Sequence, residues 1–145
     1  MKYFKLQEFV ASDTAKKYNI DNTPSAVIVS HLNELVDNLL DPLREDWAKY
    51  CAQKGWSKPG IHINSGYRCP ALNKKVGGAA TSAHMTGYAA DLYPLNNKIK
   101  EFIAFCAEWV KGRNFDQCID EYQRWCHIGY KNSYNQHRKQ VFKIR

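Results

Sequence analysis

Ser82-Ala83-His84-Met85-Thr86-Gly87-Tyr88-Ala89-Ala90-Asp91 is the stretch on which the fold turns. A histidine stands at the end of a small-residue loop, Gly87 lets the chain reverse, and an apolar run with Asp91 inside it opens at Ala89. Ala89 to Tyr93 reads as a strand. Folding the loop back through Gly87 brings the His84 and Asp91 side chains toward one point. Downstream, Trp125-Cys126-His127-Ile128-Gly129-Tyr130 reads as a second strand. If the two strands pair, His127 completes a set of two histidines and one carboxylate. Such a set holds zinc and leaves one coordination position for water. Each residue also has a plainer reading. A strand histidine is commonly a satisfied structural group, and an aspartate beside a small-residue turn is commonly a cap or turn former. Cys126 adjoins His127, so on a strand the two point to opposite faces and do not share one metal.

Working outward, the region before these strands is helical. Thr23-Pro24 is expected to cap a helix with proline in its first turn. Ile28, Leu32, Leu35, Val36, Leu39 and Leu43 recur at three- and four-residue steps, the period of one buried helical face. Pro42 should kink or end that helix, leaving a second helical piece through Trp47 and Tyr50. Ile61 to Asn64 alternates and reads as a short strand. Ser65 to Thr86 shows neither period, and a loop that long in a compact domain is commonly functional. Ile99, Phe102, Ile103, Cys106, Trp109 and Val110 mark an amphipathic helix inserted among strands, and Gly112 follows its end. Phe115 to Glu121 and Gln140 to Ile144 complete the strand set. The expectation is one α+β domain over 1–145, with N-terminal helices, a small central antiparallel sheet and one inserted helix.

Composition bounds the function classes. With 44% hydrophobic and 24% charged residues, the 145-residue chain is a globular domain rather than a disordered one. The net charge of +7 favours an anionic partner, but the basic residues are dispersed and no nucleic-acid motif occurs. The five cysteines are odd in number and contain no CxxC pair, which reads as free thiols in a reducing compartment. No apolar run suggests a signal peptide or a membrane span. Synthesis in the cytoplasm and no membrane insertion are therefore expected.

These residues resemble a known family. Ser82-x-His84-x-x-Gly87-x-Ala89-x-Asp91 and Trp125-x-His127 look like the metal signature of the zinc D-Ala-D-Ala carboxypeptidases, peptidase family M15. Ser65-Gly66-Tyr67-Arg68-Cys69-Pro70-Ala71-Leu72-Asn73 with Val76-Gly77-Gly78 is similar to the family's arginine-bearing loop. Phe115 to Glu121 is similar to its catalytic-acid strand. Phe4 to Phe9, Ser12, Ala15 and Ile20-Asp21-Asn22-Thr23-Pro24 resemble the opening of its short subgroup, common in phages and bacteria.

The resemblance implies a Hedgehog/D-Ala-D-Ala-peptidase-like fold and one zinc ion held by His84, Asp91 and His127. It implies Glu121 as general base, Arg68 as oxyanion stabiliser or substrate contact, and Ser82 as a substrate contact at the cleft edge. Many members carry the carboxylate three residues before the last histidine. Arg124 stands there in this chain, so Asp120 and Glu121 are the nearest acids. A regular strand points them to opposite faces, and the subgroup resemblance favours Glu121. Arg68 alone also reads as a surface arginine pairing with any acid. Tyr67 and Trp125 read as packing, His31 as structural, His62 as a strand residue near the site and His137 as a surface residue. The implied reaction is hydrolysis of a D-amino-acid-containing bond in a peptidoglycan stem or crossbridge peptide by a monomer. It would be a carboxypeptidase or endopeptidase acting on the cell wall, with holin-type release one route out. The competing readings are a non-catalytic zinc-containing wall-binding or phage structural module, and a nucleic-acid binder suggested by charge alone.

Overall fold

A computed structural model describes all residues 1–145. Six α-helices and five strands follow one another as α1 (Leu6–Val10), α2 (Asp13–Lys17), α3 (Ala26–Leu35), α4 (Asp41–Lys54), β1 (Ile61–Ser65), α5 (Pro70–Lys75), β2 (Ala89–Pro94), α6 (Ile99–Trp109), β3 (Gln117–Glu121), β4 (Trp125–Gly129) and β5 (Gln140–Ile144). The architecture is α+β, as expected. No helix is long and apolar enough to cross a membrane.

The helix over the leucine repeat starts later than Thr23-Pro24 suggested. Ser25 is the N-cap, its hydroxyl accepting from the Ile28 amide, while the Thr23 hydroxyl is turned to Asp21. Pro42 does not end the helix. A π-helical turn over Val36–Leu40 precedes it, the Asp41 amide donates to the Val36 carbonyl, and Pro42 falls in the first turn of α4, where its missing N–H costs little. The apolar face therefore runs on through Leu39, Leu40, Leu43 and Trp47, all fully buried. The Trp47 ring packs against Phe102 and Phe105 of α6 at centroid distances of 5.0 and 5.4 Å. Each such side chain contributes roughly 1.5–3 kcal/mol relative to an exposed one. At the other end of α4, Gly55 closes the helix in the left-handed conformation, φ 73°.

Strand order is β1-β2-β4-β3-β5. The first three pairings are antiparallel, but β5 runs parallel to β3, so the sheet is mixed rather than antiparallel. The segment after β4 loops back before the last strand begins, so β5 enters in the direction of β3. Side chains alternate across the sheet. Leu92, Cys126, Ile128 and Cys118 face the helices and are buried. In register on the opposite face lie Asp91, His127, Ile119 and Phe142, one from each of β2, β4, β3 and β5. A register shift in β1 between Ile63 and Ser65 brings Ser65 opposite Asp91 and releases the chain over that face.

Candidate metal centre and active site

Asp91 and His127 are direct cross-strand partners, which puts both side chains on the same face of the central pair β2/β4. His84 arrives from a different element. The segment from Ser65 to Thr86 is not one structureless loop: it holds α5 and then a 3₁₀ turn over Ala83–Thr86 that carries His84. The Ser82 hydroxyl caps this turn by accepting from the His84 amide, and Gly87 ends it at φ 82°. A Cβ at Gly87 would lie 3.0 Å from the Ile28 carbonyl oxygen, so both the turn and the space favour glycine there.

The ligating atoms of His84, Asp91 and His127 all lie within 4.8 Å of one another, and all three residues are buried. His84 Nε2 is 3.3 Å and His127 Nδ1 3.0 Å from Asp91 Oδ1. His84 Nδ1 lies 2.7 Å from the Gly66 carbonyl oxygen. That carbonyl can only accept, so Nδ1 carries the proton and Nε2 turns its lone pair to the other two donors. Two imidazole nitrogens and one carboxylate oxygen, with no fourth protein donor in the group, suit a metal ion such as zinc with an open position. Burial by itself opposes the Asp91 carboxylate. The two imidazoles outweigh it and hold the Asp91 pKa well below the ordinary carboxylate range.

Glu121 sits at the end of β3 on the same face. Its Oε2 accepts from the Trp125 indole at 3.0 Å, and its Oε1 is 3.8 Å from His127 Nδ1. Burial and the neighbouring Asp91 charge push its pKa up, the direction that suits a proton-transfer group. Asp120 faces away and is held by Gln123 and Arg145, so the two acids separate as strand alternation required.

Arg68 is half-buried rather than a surface arginine. Its Nη2 lies 3.4 Å from Ser82 Oγ, while its Nε is buried with no partner. Burial pulls its pKa down, opposed by the Asp91 and Glu121 carboxylates. Main-chain bonds tie it to the histidine turn: the Arg68 amide donates to the His84 carbonyl at 3.0 Å. Together with the His84–Gly66 bond, this makes Gly66–Arg68 and His84 one unit.

Several contributors escaped the sequence reading. Asn22 is buried and grips both sides of Arg68: its amide donates to the Val10 and Tyr67 carbonyls, and its Oδ1 accepts from the Cys69 amide. The only signal was a polar residue in the Asp21-Asn22-Thr23-Pro24 turn. Trp125, taken for packing, orients Glu121 and lines the cleft. Asp116 is almost fully buried and takes a bidentate pair from Arg138, at 2.7 and 2.8 Å, anchoring the segment between β4 and β5. His31 braces the metal turn through Nδ1, 2.7 Å from the Thr86 carbonyl, and stacks on Tyr88. His137 is part-buried against Tyr130 rather than a surface residue. His62 lies exposed on β1, lining a cavity beside the site. All five cysteines are free thiols, and Cys118 and Cys126 meet at 3.8 Å in the core behind the sheet, away from the metal group.

A family model described as Peptidase M15 matches residues 2–129. The chain belongs to the peptidase M15 family. No curated protein matches it. The matched span takes in the His84 turn, Asp91, Glu121 and His127, and stops at the last residue of β4. Membership makes the chain a peptidase, and M15 peptidases are generally zinc-dependent. β5, Arg138 and their connecting segment lie beyond the match.

Proposed function

We propose that this M15 chain is a zinc-dependent peptidase that hydrolyses a D-amino-acid-containing peptide bond of bacterial peptidoglycan. The observation that carries the reading is the convergence of His84 Nε2, Asp91 Oδ1 and His127 Nδ1 beside an elevated Glu121 and an arginine with an unused buried N–H. Zinc bound by the three residues would polarise a carbonyl and acidify a water at its open position. Glu121 takes a proton from the attacking water and returns it to the leaving amine. Trp125 holds that carboxylate by its Oε2, which leaves Oε1 free to face the site. Arg68 meets the negative charge that develops on the scissile carbonyl oxygen. Its unpaired Nε supplies a donor that nothing in the protein consumes. Ser82 orients the arginine and contacts substrate at the cleft edge.

The wall as substrate rests on family chemistry and on the net charge of +7, which suits an anionic polymer. A soluble, monomeric enzyme acting on the wall after release from the cell fits the same reading. Digestion of muropeptides by purified protein, with and without chelator and followed by mass, tests it. Cleavage should require the metal. Glu121→Gln should lower turnover by about 10²–10⁴-fold while zinc content stays at one per chain. Zinc bound at one equivalent with no muropeptide cut would leave a non-catalytic zinc module and end the peptidase reading.

A further inference from the structure

We infer that Tyr134 and Tyr122 form a sugar subsite on the β3 side of the cleft, holding a neutral pyranose ring of the glycan joined to the peptide that is cut; this rests on the peptidase reading above. The cleft over β3 has a volume of about 720 Å³, and both tyrosines line it together with Glu121 and His127. That lies within the roughly 300–1,000 Å³ of ordinary ligand sites, with room for a ring beside the reacting groups. Tyr134 is 81% exposed, and its one hydrogen bond is through the main-chain amide. So exposed a ring contributes little to folding. The turn that presents it is nevertheless firmly built. Asn132 Oδ1 accepts from the Tyr134 and Gln136 amides, both at 2.9 Å, and the Asn132 amide donates to the Gln136 carbonyl at 3.1 Å. Behind the turn, His137 Nδ1 lies 2.7 Å from the Tyr130 carbonyl and Arg138 is clamped on Asp116. A tyrosine has only two side-chain torsions to order, so a ring held out by a pinned turn meets a ligand at low entropic cost. The turn lies beyond residues 2–129, the span that the M15 model matches, so family membership assigns it no role.

Tyr122 supplies the second ring. It is 51% exposed and packs edge-to-face on Trp125 at 6.4 Å, and Trp125 in turn holds Glu121. A ligand resting on these rings therefore sits next to the proton-transfer group. The rest of the wall selects its chemistry. The charged side chains of this part of the cleft are all engaged: His84, Asp91 and His127 in the metal group with Glu121 beside them, Arg138 on Asp116, and Arg68 at the reacting centre. What remains is neutral and hydrogen-bonding, with Thr81, Gln117 and Ser133 beside the two tyrosines. Aromatic faces take the apolar C–H face of a pyranose, and hydroxyls and amides take its rim. A wall sugar whose acid function is spent in the amide to the stem peptide is such a ring. The part of the cleft over β1 carries the exposed acids Glu8 and Asp13 instead, which places the neutral ring on the β3 side.

The test uses zinc-loaded full-length protein and two probes: a cross-linked disaccharide muropeptide dimer, and the same cross-linked peptide with its sugars removed. Products are read by mass and kcat/KM is compared between the probes. The parent should cut the sugar-bearing probe about tenfold more efficiently. Tyr134→Ala should bring that ratio down to about twofold or less, with Tm and zinc content as in the parent, and Tyr134→Trp, which keeps an aromatic face, should restore most of it. Equal cleavage of both probes by the parent overturns the subsite and leaves the peptidase standing. So does a Tyr134→Ala loss of the same size on both probes, which would assign the ring to a peptide side chain. No cleavage of either probe with zinc bound overturns both.

Discussion

Replacing Asn22 by alanine should damage the active site although Asn22 touches no reacting group. Its side chain makes three hydrogen bonds of 3.0, 3.0 and 2.8 Å to Val10, Tyr67 and Cys69, on three main-chain groups that have no substitute partner of the same geometry. Leaving a buried polar group unpaired costs about 1–3 kcal/mol. Asn22 is 7% exposed, so water entering the vacated space would recover part of that for the Val10 carbonyl, which is itself part-buried. The net expectation is a loss of about 2–4 kcal/mol. For a domain of this size that lowers Tm by about 10 °C in thermal unfolding of the zinc-loaded protein. Stability is half of the effect. The released bonds flank Arg68, whose amide holds the His84 carbonyl, so the arginine and the metal turn drift together. Displacement of about 1 Å at a reacting group costs on the order of 10²-fold, so turnover at a temperature where the variant is folded should fall by about 10–100-fold. Asn22→Asp keeps the acceptor for Cys69 but sets oxygen against the Val10 and Tyr67 carbonyls, and should be no better than alanine. An alanine variant within about 0.5 kcal/mol of the parent, turning over at the parental rate, would refute the clamp.

Gly66→Ala should loosen the same unit from the other side. Its Cβ would lie 2.5 Å from the Phe9 carbonyl oxygen and 2.6 Å from Phe9 Cα, so the backbone must part and the Gly66–His84 bond goes with it. Zinc affinity, measured by competition with a chelator, should fall by about 10–100-fold, as for other losses of a ligand's supporting bond. Asp116→Asn weakens the bidentate hold on Arg138; because Arg138 is 40% exposed, the cost should be nearer 2 kcal/mol than the 3–5 of a fully buried pair, read by urea unfolding. The Tyr88–Glu34 pair predicts a pH profile. Burial and the Glu34 hydrogen bond raise the Tyr88 pKa well above its usual value near 10, so its contribution is full below pH 10 and is lost as pH rises through the folded value. The Tyr88 hydroxyl, against the opposing effect of burial, holds Glu34 below its usual value near 4.5; that contribution is present above pH 4.5 and is lost as pH falls through the lowered value. In a plot of Tm against pH, Tyr88→Phe should remove this tyrosine's alkaline contribution and weaken the acid one, which Lys131 also supports, and limbs identical to the parent's would exclude the pair as a source.

What the sequence made legible follows from which interactions are local. His84 and Asp91 are seven residues apart with Gly87 between them, and a turn of that length constrains both side chains wherever it sits. Asp91 and His127 needed only two apolar runs and the period of a strand, because cross-strand neighbours share a face. Strand alternation likewise separated Glu121 from Asp120 before any partner was known. Most of the failures are non-local or compensated. Pro42 was expected to kink or end the helix; the second helical piece through Trp47 and Tyr50 is there as α4, but the interruption falls one turn ahead of the proline, as the π-turn over Val36–Leu40, and the apolar face runs on across it. The direction of β5 depends on how the chain loops back after β4, and a strand's residue pattern is the same in either direction. Asn22 was invisible for a stronger reason. Its three partners lie 12, 45 and 47 residues away, and all are main-chain groups, which any residue type supplies. A side chain that binds side chains leaves a complementary partner to be found in the sequence; one that binds backbone leaves none. The contacts of this site that set its geometry, Asn22 on the arginine loop, His84 on Gly66 and His31 on Thr86, are all of the second kind. A reading by residue type therefore recovers the chemical groups of such a centre sooner than the scaffold that aims them.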